Sequence, residues 1–249
     1  MNSTFRKQLL GGEKLIGTML SLTTPAVAEI LASTGIDWLF IDAEHGAFDT
    51  VDIQSVLQAA GRQVPCIVRV EAAAEVPIKK ALDVGAAGII VPSVNSAEQA
   101  EQIVEYARFS PAGSRGVGLA RAHGYGKTFR EYLDTANDQI ALIVQAEHFK
   151  AVENIEKIVK VQGLDAVLIG PYDLSASLGK MGQFDDRQFV EAIDHVTETC
   201  LAAKVPLGIF GVSPAAVRPF IERGYTLIVV GVDTMLLANA TEDMLAELR

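Results

Sequence analysis

The segment Asp42-Ala43-Glu44-His45 brings two carboxylates and an imidazole together where the apolar run Trp38-Leu39-Phe40-Ile41 ends. A carboxylate beside an imidazole fixes its tautomer and raises its basicity, which suits general-base work near neutral pH. His45 is the candidate base and Asp42 its local partner, although the cluster taken alone equally suits a metal site. His123 has no such company, His148 follows Glu147 but is expected to point elsewhere, and His195 falls on a helix surface. Arg69, inside Ile67-Val68-Arg69-Val70, is a guanidinium in an apolar run and needs a partner. A substrate carboxylate or a developing oxyanion fits its planar, bidentate geometry. A structural salt bridge to Glu44 or Glu71 is the alternative.

Two further carboxylates also follow apolar runs. Glu147 comes after Ala141-Leu142-Ile143-Val144-Gln145-Ala146, and Asp173 after Ala166-Val167-Leu168-Ile169-Gly170-Pro171. On adjacent strands they would share one rim and repel each other unless a cation or proton lay between them. Oxygen donors with no nearby Cys favour a hard divalent ion such as Mg²⁺ or Mn²⁺. Alternatively, each carboxylate caps the helix that follows, as Asp173 could before Leu174-Ser175-Ala176-Ser177.

Eight apolar runs of strand length carry these groups: Ile16–Leu20, Trp38–Ile41, Cys66–Val70, Gly88–Pro92, Ile140–Val144, Ala166–Ile169, Pro206–Phe210 and Thr226–Val230. They are nearly continuous in Ile, Val and Leu, as strands covered on both faces must be, which points to a parallel sheet. Helix-like segments alternate with them, including Thr24–Ala32, Ser96–Arg108, Asp186–Lys204 and Ser213–Arg223. Gly35, Gly85, Gly163 and Gly224 stand where helix C-caps belong. About eight strand–helix pairs predict an α/β protein with a closed (β/α)₈ TIM barrel and its chemistry at the strands' carboxyl ends. A doubly wound open sheet is the rival, but Ser21-Leu22-Thr23-Thr24 is no Gly-rich phosphate loop. Residues 1–249 read as a single domain. The long Gly-rich connection between Val94 and Ile140 reads as a lid or binding loop, or else as a plain surface excursion.

Of the 249 residues, 49% are hydrophobic and the formal charge is −10. That charge disfavours nucleic acid and anionic membrane surfaces as partners. Neither a signal-type apolar stretch nor a run near the ~20 residues of a membrane helix is present, so a cytoplasmic location is expected. Cys66 and Cys200 lack metal-type spacing and are expected to be reduced. Gly113-Ser114-Arg115-Gly116-Val117-Gly118 has the wrong order for a dinucleotide fingerprint.

Asp42-x-Glu44-His45, Arg69, Pro111-Ala112-Gly113-x-Arg115-Gly116-Val117-Gly118, Gln145-x-Glu147 and Gly170-Pro171-x-Asp173-Leu174-Ser175-Ala176-Ser177-Leu178-Gly179 together resemble the HpcH/HpaI aldolases. The resemblance runs in order over nearly the whole chain, through Val230-Gly231-Val232-Asp233. It implies a phosphoenolpyruvate/pyruvate-type barrel and a class II, metal-dependent pyruvate aldolase, similar to 4-hydroxy-2-oxoheptanedioate aldolase. Such a lyase cleaves a 4-hydroxy-2-oxo acid to pyruvate and an aldehyde through a metal-stabilised enolate. By this resemblance Glu147 and Asp173 hold the divalent metal, Mg²⁺ or Mn²⁺ with Co²⁺ or Zn²⁺ as alternatives. Gln145 and the backbone at Tyr172 and Asp173 seat the 2-oxo acid, Arg69 carries developing negative charge, and His45 is the base. Asp83 is implied to raise the basicity of His45. The local pattern places Asp83 on a helix, so it would reach the site from a neighbouring subunit.

Ala43 and Ala146 depart from the commoner residues of the family without removing a functional group. The loop Leu119–Gly126 differs from that of heptanedioate-cleaving members and is expected to border the aldehyde side. Arg121 in it is a candidate for a distal carboxylate or hydroxyl of the substrate, or for a surface salt bridge. A synthase that uses the same enolate in condensation, citrate-synthase-like, and a non-catalytic metabolite-binding protein are the other functional readings. Met244, Leu245 and Leu248 form a stripe expected to pack on the chain's own barrel. The resemblance instead implies exchange of the last helix between subunits of a homo-oligomer, a hexamer built as a trimer of dimers.

Overall fold

The expected apolar runs become eight strands: β1 (Leu15–Leu20), β2 (Trp38–Asp42), β3 (Cys66–Arg69), β4 (Gly88–Val91), β5 (Ala141–Ala146), β6 (Ala166–Ile169), β7 (Leu207–Gly211) and β8 (Leu227–Val232). The computed structural model describes residues 4–61 and 63–249. Each strand pairs in parallel with the next and β8 closes on β1, forming a (β/α)₈ barrel. The continuous hydrophobicity has a direct cause. Met19, Phe40, Ile67, Ile90, Ile143, Leu168 and Val229 fill the barrel interior. Their strand neighbours, such as Leu39, Ile41, Val68, Ile89, Val144 and Ile169, pack outward against the helices. Both faces of every strand are therefore buried. Gly17 leaves room for the Trp38 indole, since a Cβ there would stand 2.7 Å from the indole nitrogen.

Helices Pro25–Ala32, Ala97–Ala107, Arg187–Ala203 and Pro214–Glu222 fall where the pattern placed them. Ser96, Asp186 and Ser213 accept from backbone N–H groups of the first turn, satisfying donors that the helix cannot. The base of the barrel is closed by helix Phe5–Leu10, whose Phe5 ring lies 5.7 Å from that of Trp38. Arg6 reaches across to Asp165, which also receives Arg108.

Two expectations are corrected here. The long connection contains a helix, Phe129–Gln139, that its polar sequence concealed, and only Ala136 of that helix is buried. The last helix, Asp233–Leu248, meets the barrel only at its start, through Asp233. Of the expected stripe, Met244 and Leu248 are exposed and Leu245 is half-buried, and Met235, Leu236 and Leu237 are exposed too. Among the described residues, no helix is long and apolar enough to cross a membrane.

Candidate active site

Parallel pairing puts the carboxyl ends of all eight strands at one rim, and most of the expected groups meet there. The register of β2 and β3 sets Asp42 directly beside Arg69. Both are buried, and they form a bidentate pair, with Arg69 Nε 2.9 Å from Asp42 Oδ1 and Nη2 2.8 Å from Oδ2. The guanidinium also lies over the Phe40 ring, 5.2 Å from its centroid. Asp42 Oδ1 accepts the backbone N–H groups of Glu44 and His45 as well.

These contacts overturn the expectation that Asp42 is the imidazole's partner, because its oxygens are taken up by Arg69 and the turn. The carboxylate that faces His45 within the chain is Glu44, with Oε2 3.8 Å from Nε2. Arg69 Nε lies 3.2 Å from that same oxygen but directs its hydrogen to Asp42, so Glu44 Oε2 is buried without a donor. Burial raises the Glu44 carboxyl above its ordinary value, the nearby Arg69 opposes the rise, and Asp42 and Asp173 add to it. The His45 side chain is 68% exposed, so it is free to meet a ligand.

Gln145 and Glu147 enter from the end of β5. Glu147 is buried, its Oε1 accepting from the Ser93 N–H (2.7 Å) and the Ser93 hydroxyl (3.2 Å), while its Oε2 accepts from Gln145 Nε2. Burial pushes the Glu147 carboxyl up to about 7, helped by the Glu44 and Asp173 carboxylates and opposed by Ser93. Asp173 lies in the first turn of helix Pro171–Ser177, whose N-cap is Gly170; it does not cap a helix starting at Leu174. Asp42, His45, Arg69, Gln145, Tyr172 and Asp173 line one cavity of about 220 Å³, walled by Met19, Phe40, Leu168 and Phe210. Larger clefts of about 690 and 490 Å³ open at the base, away from these groups.

The donor set suits a hard divalent cation. Burial raises the Glu147 carboxyl, with the Glu44 and Asp173 carboxylates adding to the rise, and the buried Gln145 Oε1 has no donor. Gly170 leaves a space in which a Cβ would lie 2.8 Å from Glu147 Oε2. Among the described residues, no group of three Asp, Glu, His or Cys side chains forms a closed metal cluster. Glu147 and Asp173 are the carboxylates that could hold such an ion.

The family model described as HpcH/HpaI aldolase/citrate lyase matches residues 15–240. The chain belongs to that family. A hydroxypyruvate/pyruvate aldolase from Cupriavidus necator is 41% identical over 100% of this chain and 93% of its own length. A 2-keto-3-deoxy-L-rhamnonate aldolase from Klebsiella pneumoniae is 40% identical over 99% and 93%. An HpcH/HpaI aldolase/citrate lyase family protein from Burkholderia cenocepacia shares the fold with a TM-score of 0.94, at 39% identity and 98% coverage of both chains. This member of the family is accordingly an enzyme, a carbon–carbon lyase of aldolase type.

Two expected site residues lie at the opposite rim of this aldolase. Asp83 ends helix Glu75–Asp83 and pairs with Arg115 at 2.7 Å. Arg115 is buried and stacks 4.5 Å from the Phe109 ring centroid. Arg121 donates to the carbonyls of Val84 and Leu57, so within its own subunit it neither borders the aldehyde side nor forms a surface salt bridge. The order of elements explains both positions, since a segment between a helix and the next strand must lie at the base. Ser93 escaped notice because a serine marks no site until Glu147 is folded against it, and Gly170, already within the family motif, shows its close approach to Glu147 only in the fold.

Proposed function

We propose that this chain is a divalent-metal-dependent aldolase that cleaves a 4-hydroxy-2-oxo acid to pyruvate and an aldehyde. One observation supports this most: Arg69, His45, Gln145 and Asp173 share one cavity beside the buried Glu147. The names of the two relatives, for aldol chemistry on pyruvate-type and 2-keto-3-deoxy acids, favour cleavage over condensation or mere binding.

A divalent ion held by Glu147 and Asp173 supplies Lewis acidity at the 2-oxo group when bound. Gln145 and the backbone at Tyr172 and Asp173 seat the 2-oxo acid. Arg69, already aimed by Asp42, meets negative charge where it develops and needs no reorganisation. His45 takes the proton of the C4 hydroxyl as the C3–C4 bond breaks. The bond's electron pair goes to C3, giving the aldehyde and a pyruvate enolate, and protonation at C3 releases pyruvate. The Met19, Phe40, Leu168 and Phe210 wall keeps water away from the enolate.

The exposed apolar face of helix Asp233–Leu248 supports a homo-oligomer in which that helix packs on a neighbour. In that assembly Asp83 is read as supporting a neighbour's His45. Buried, unpaired Cys66 and Cys200 suit a reducing cytoplasm. Pyruvate release from 4-hydroxy-2-oxo acids should require Mn²⁺ or Mg²⁺ and stop on addition of EDTA. Turnover indifferent to EDTA counts against the metal role, and a monomeric elution profile counts against the assembly.

A further inference from the structure

Ser93 has a left-handed backbone with φ 55°, a conformation shared by the non-glycine residues Tyr125 and Lys204 among those described. Lys204 ends a helix, where this conformation is common. Ser93 ends none: it follows β4 and Pro92 at the catalytic rim. A side chain in this region crowds its own backbone, so outside contacts must hold it there. Both Ser93 donors converge on a single atom, Glu147 Oε1, with the N–H at 2.7 Å and the hydroxyl at 3.2 Å. The segment is anchored further, since Val94 N–H donates to the Gln145 carbonyl (3.3 Å) and Asn95 Nδ2 to the Ser93 carbonyl (3.1 Å).

We propose that Ser93 is a positioning residue for the metal site, which rests on the reading of Glu147 as a metal ligand. Its left-handed turn aims two donors at Oε1 and fixes the plane of the carboxylate, so that Oε2, which accepts from Gln145 Nε2, is the oxygen that would bind a cation. A ligand carboxylate free to rotate must be ordered when the ion binds, whereas this one is ordered in advance. Partners that orient a ligand commonly change metal affinity by about 10- to 100-fold.

The test is Mn²⁺ titration of the metal-free, full-length protein, following the electron paramagnetic resonance signal of the free ion. Ser93→Ala removes the hydroxyl and keeps the backbone crowding, while Ser93→Gly removes both. Ser93→Asn tolerates the left-handed backbone and supplies an amide donor. The dissociation constant should rise about 10-fold in the Ala and Gly variants and return to within about threefold in Asn. The metal-free melting temperature should stay within about 2 °C in Ala and should not fall in Gly, which separates positioning from folding. Should Ala fail to fold, Gly carries the test. Affinities within about twofold of the parent in both the Ala and Gly variants overturn the role of Ser93. A parent protein that binds no Mn²⁺ overturns the metal reading itself, and Ser93's role with it.

Discussion

At the base of the barrel, Asp165 accepts from both Arg6 and Arg108 and from the Leu142 N–H. Arg108 also donates to the carbonyls of Asn137, Ile140 and Gly163. At the opposite rim, Glu44 Oε2 and Gln145 Oε1 are buried without a donor, and the Glu147 carboxyl is pushed up to about 7. The Asp165–Arg108 cluster has its partners, although Arg115 Nε at the same end lacks one, whereas two oxygens around the cavity at the rim are buried without a donor. A buried charge with all its partners holds a fold together, whereas one left short of partners awaits something from outside. Stability thus resides at the base and chemistry at the rim.

Arg108→Ala should break this contrast most visibly. It leaves Asp165 short of a partner and should cost about 3–5 kcal/mol of unfolding free energy, measured by chemical denaturation. The folded fraction should keep its kcat/KM, and a parallel loss of turnover would erase the distinction between the ends. Next in size, Arg69→Lys should lower kcat/KM by about 10²–10³-fold, because an ammonium cannot reproduce the bidentate fork. A loss confined to thermal stability would move Arg69 to the structural class.

Gly170→Ala should weaken Mn²⁺ binding by about tenfold, its methyl intruding on Glu147 and Gln145. Calorimetric titration checks this, and unchanged affinity would remove Gly170 from the site. The smallest effect is expected inside the walls. Burial pushes the Cys66 and Cys200 thiols up to about 12, so both stay protonated at pH 8 and the reactive thiolate is missing. Iodoacetamide should leave them unmodified in the native protein, by mass spectrometry, and label them only after unfolding.

The barrel was legible because its strands are buried on both faces. Apolar runs bounded by Gly and polar residues admitted few other readings, and their number matched a closed barrel. Chemistry-bearing residues at the ends of those runs were legible for the same reason, since the pattern marks the carboxyl end of each strand. Helix Phe129–Gln139 was not, because it buries little and so carries little hydrophobic period. Asp83 was assigned through the family resemblance and Arg121 through its loop, although the order of elements, between a helix and the next strand, already put both at the base of their own subunit.

From its own order, then, the sequence determined the eight parallel strands, the rim at which Arg69, His45, Gln145, Glu147 and Asp173 gather, and the family. Only the tertiary structure decided which charge meets which. It gave Asp42 to Arg69, left Glu44 facing His45, and set the Ser93 turn against Glu147. The physical reason is that strand runs are written in local hydrophobicity. Ion pairs and hydrogen bonds depend instead on distances of a few ångströms between residues that only folding brings together.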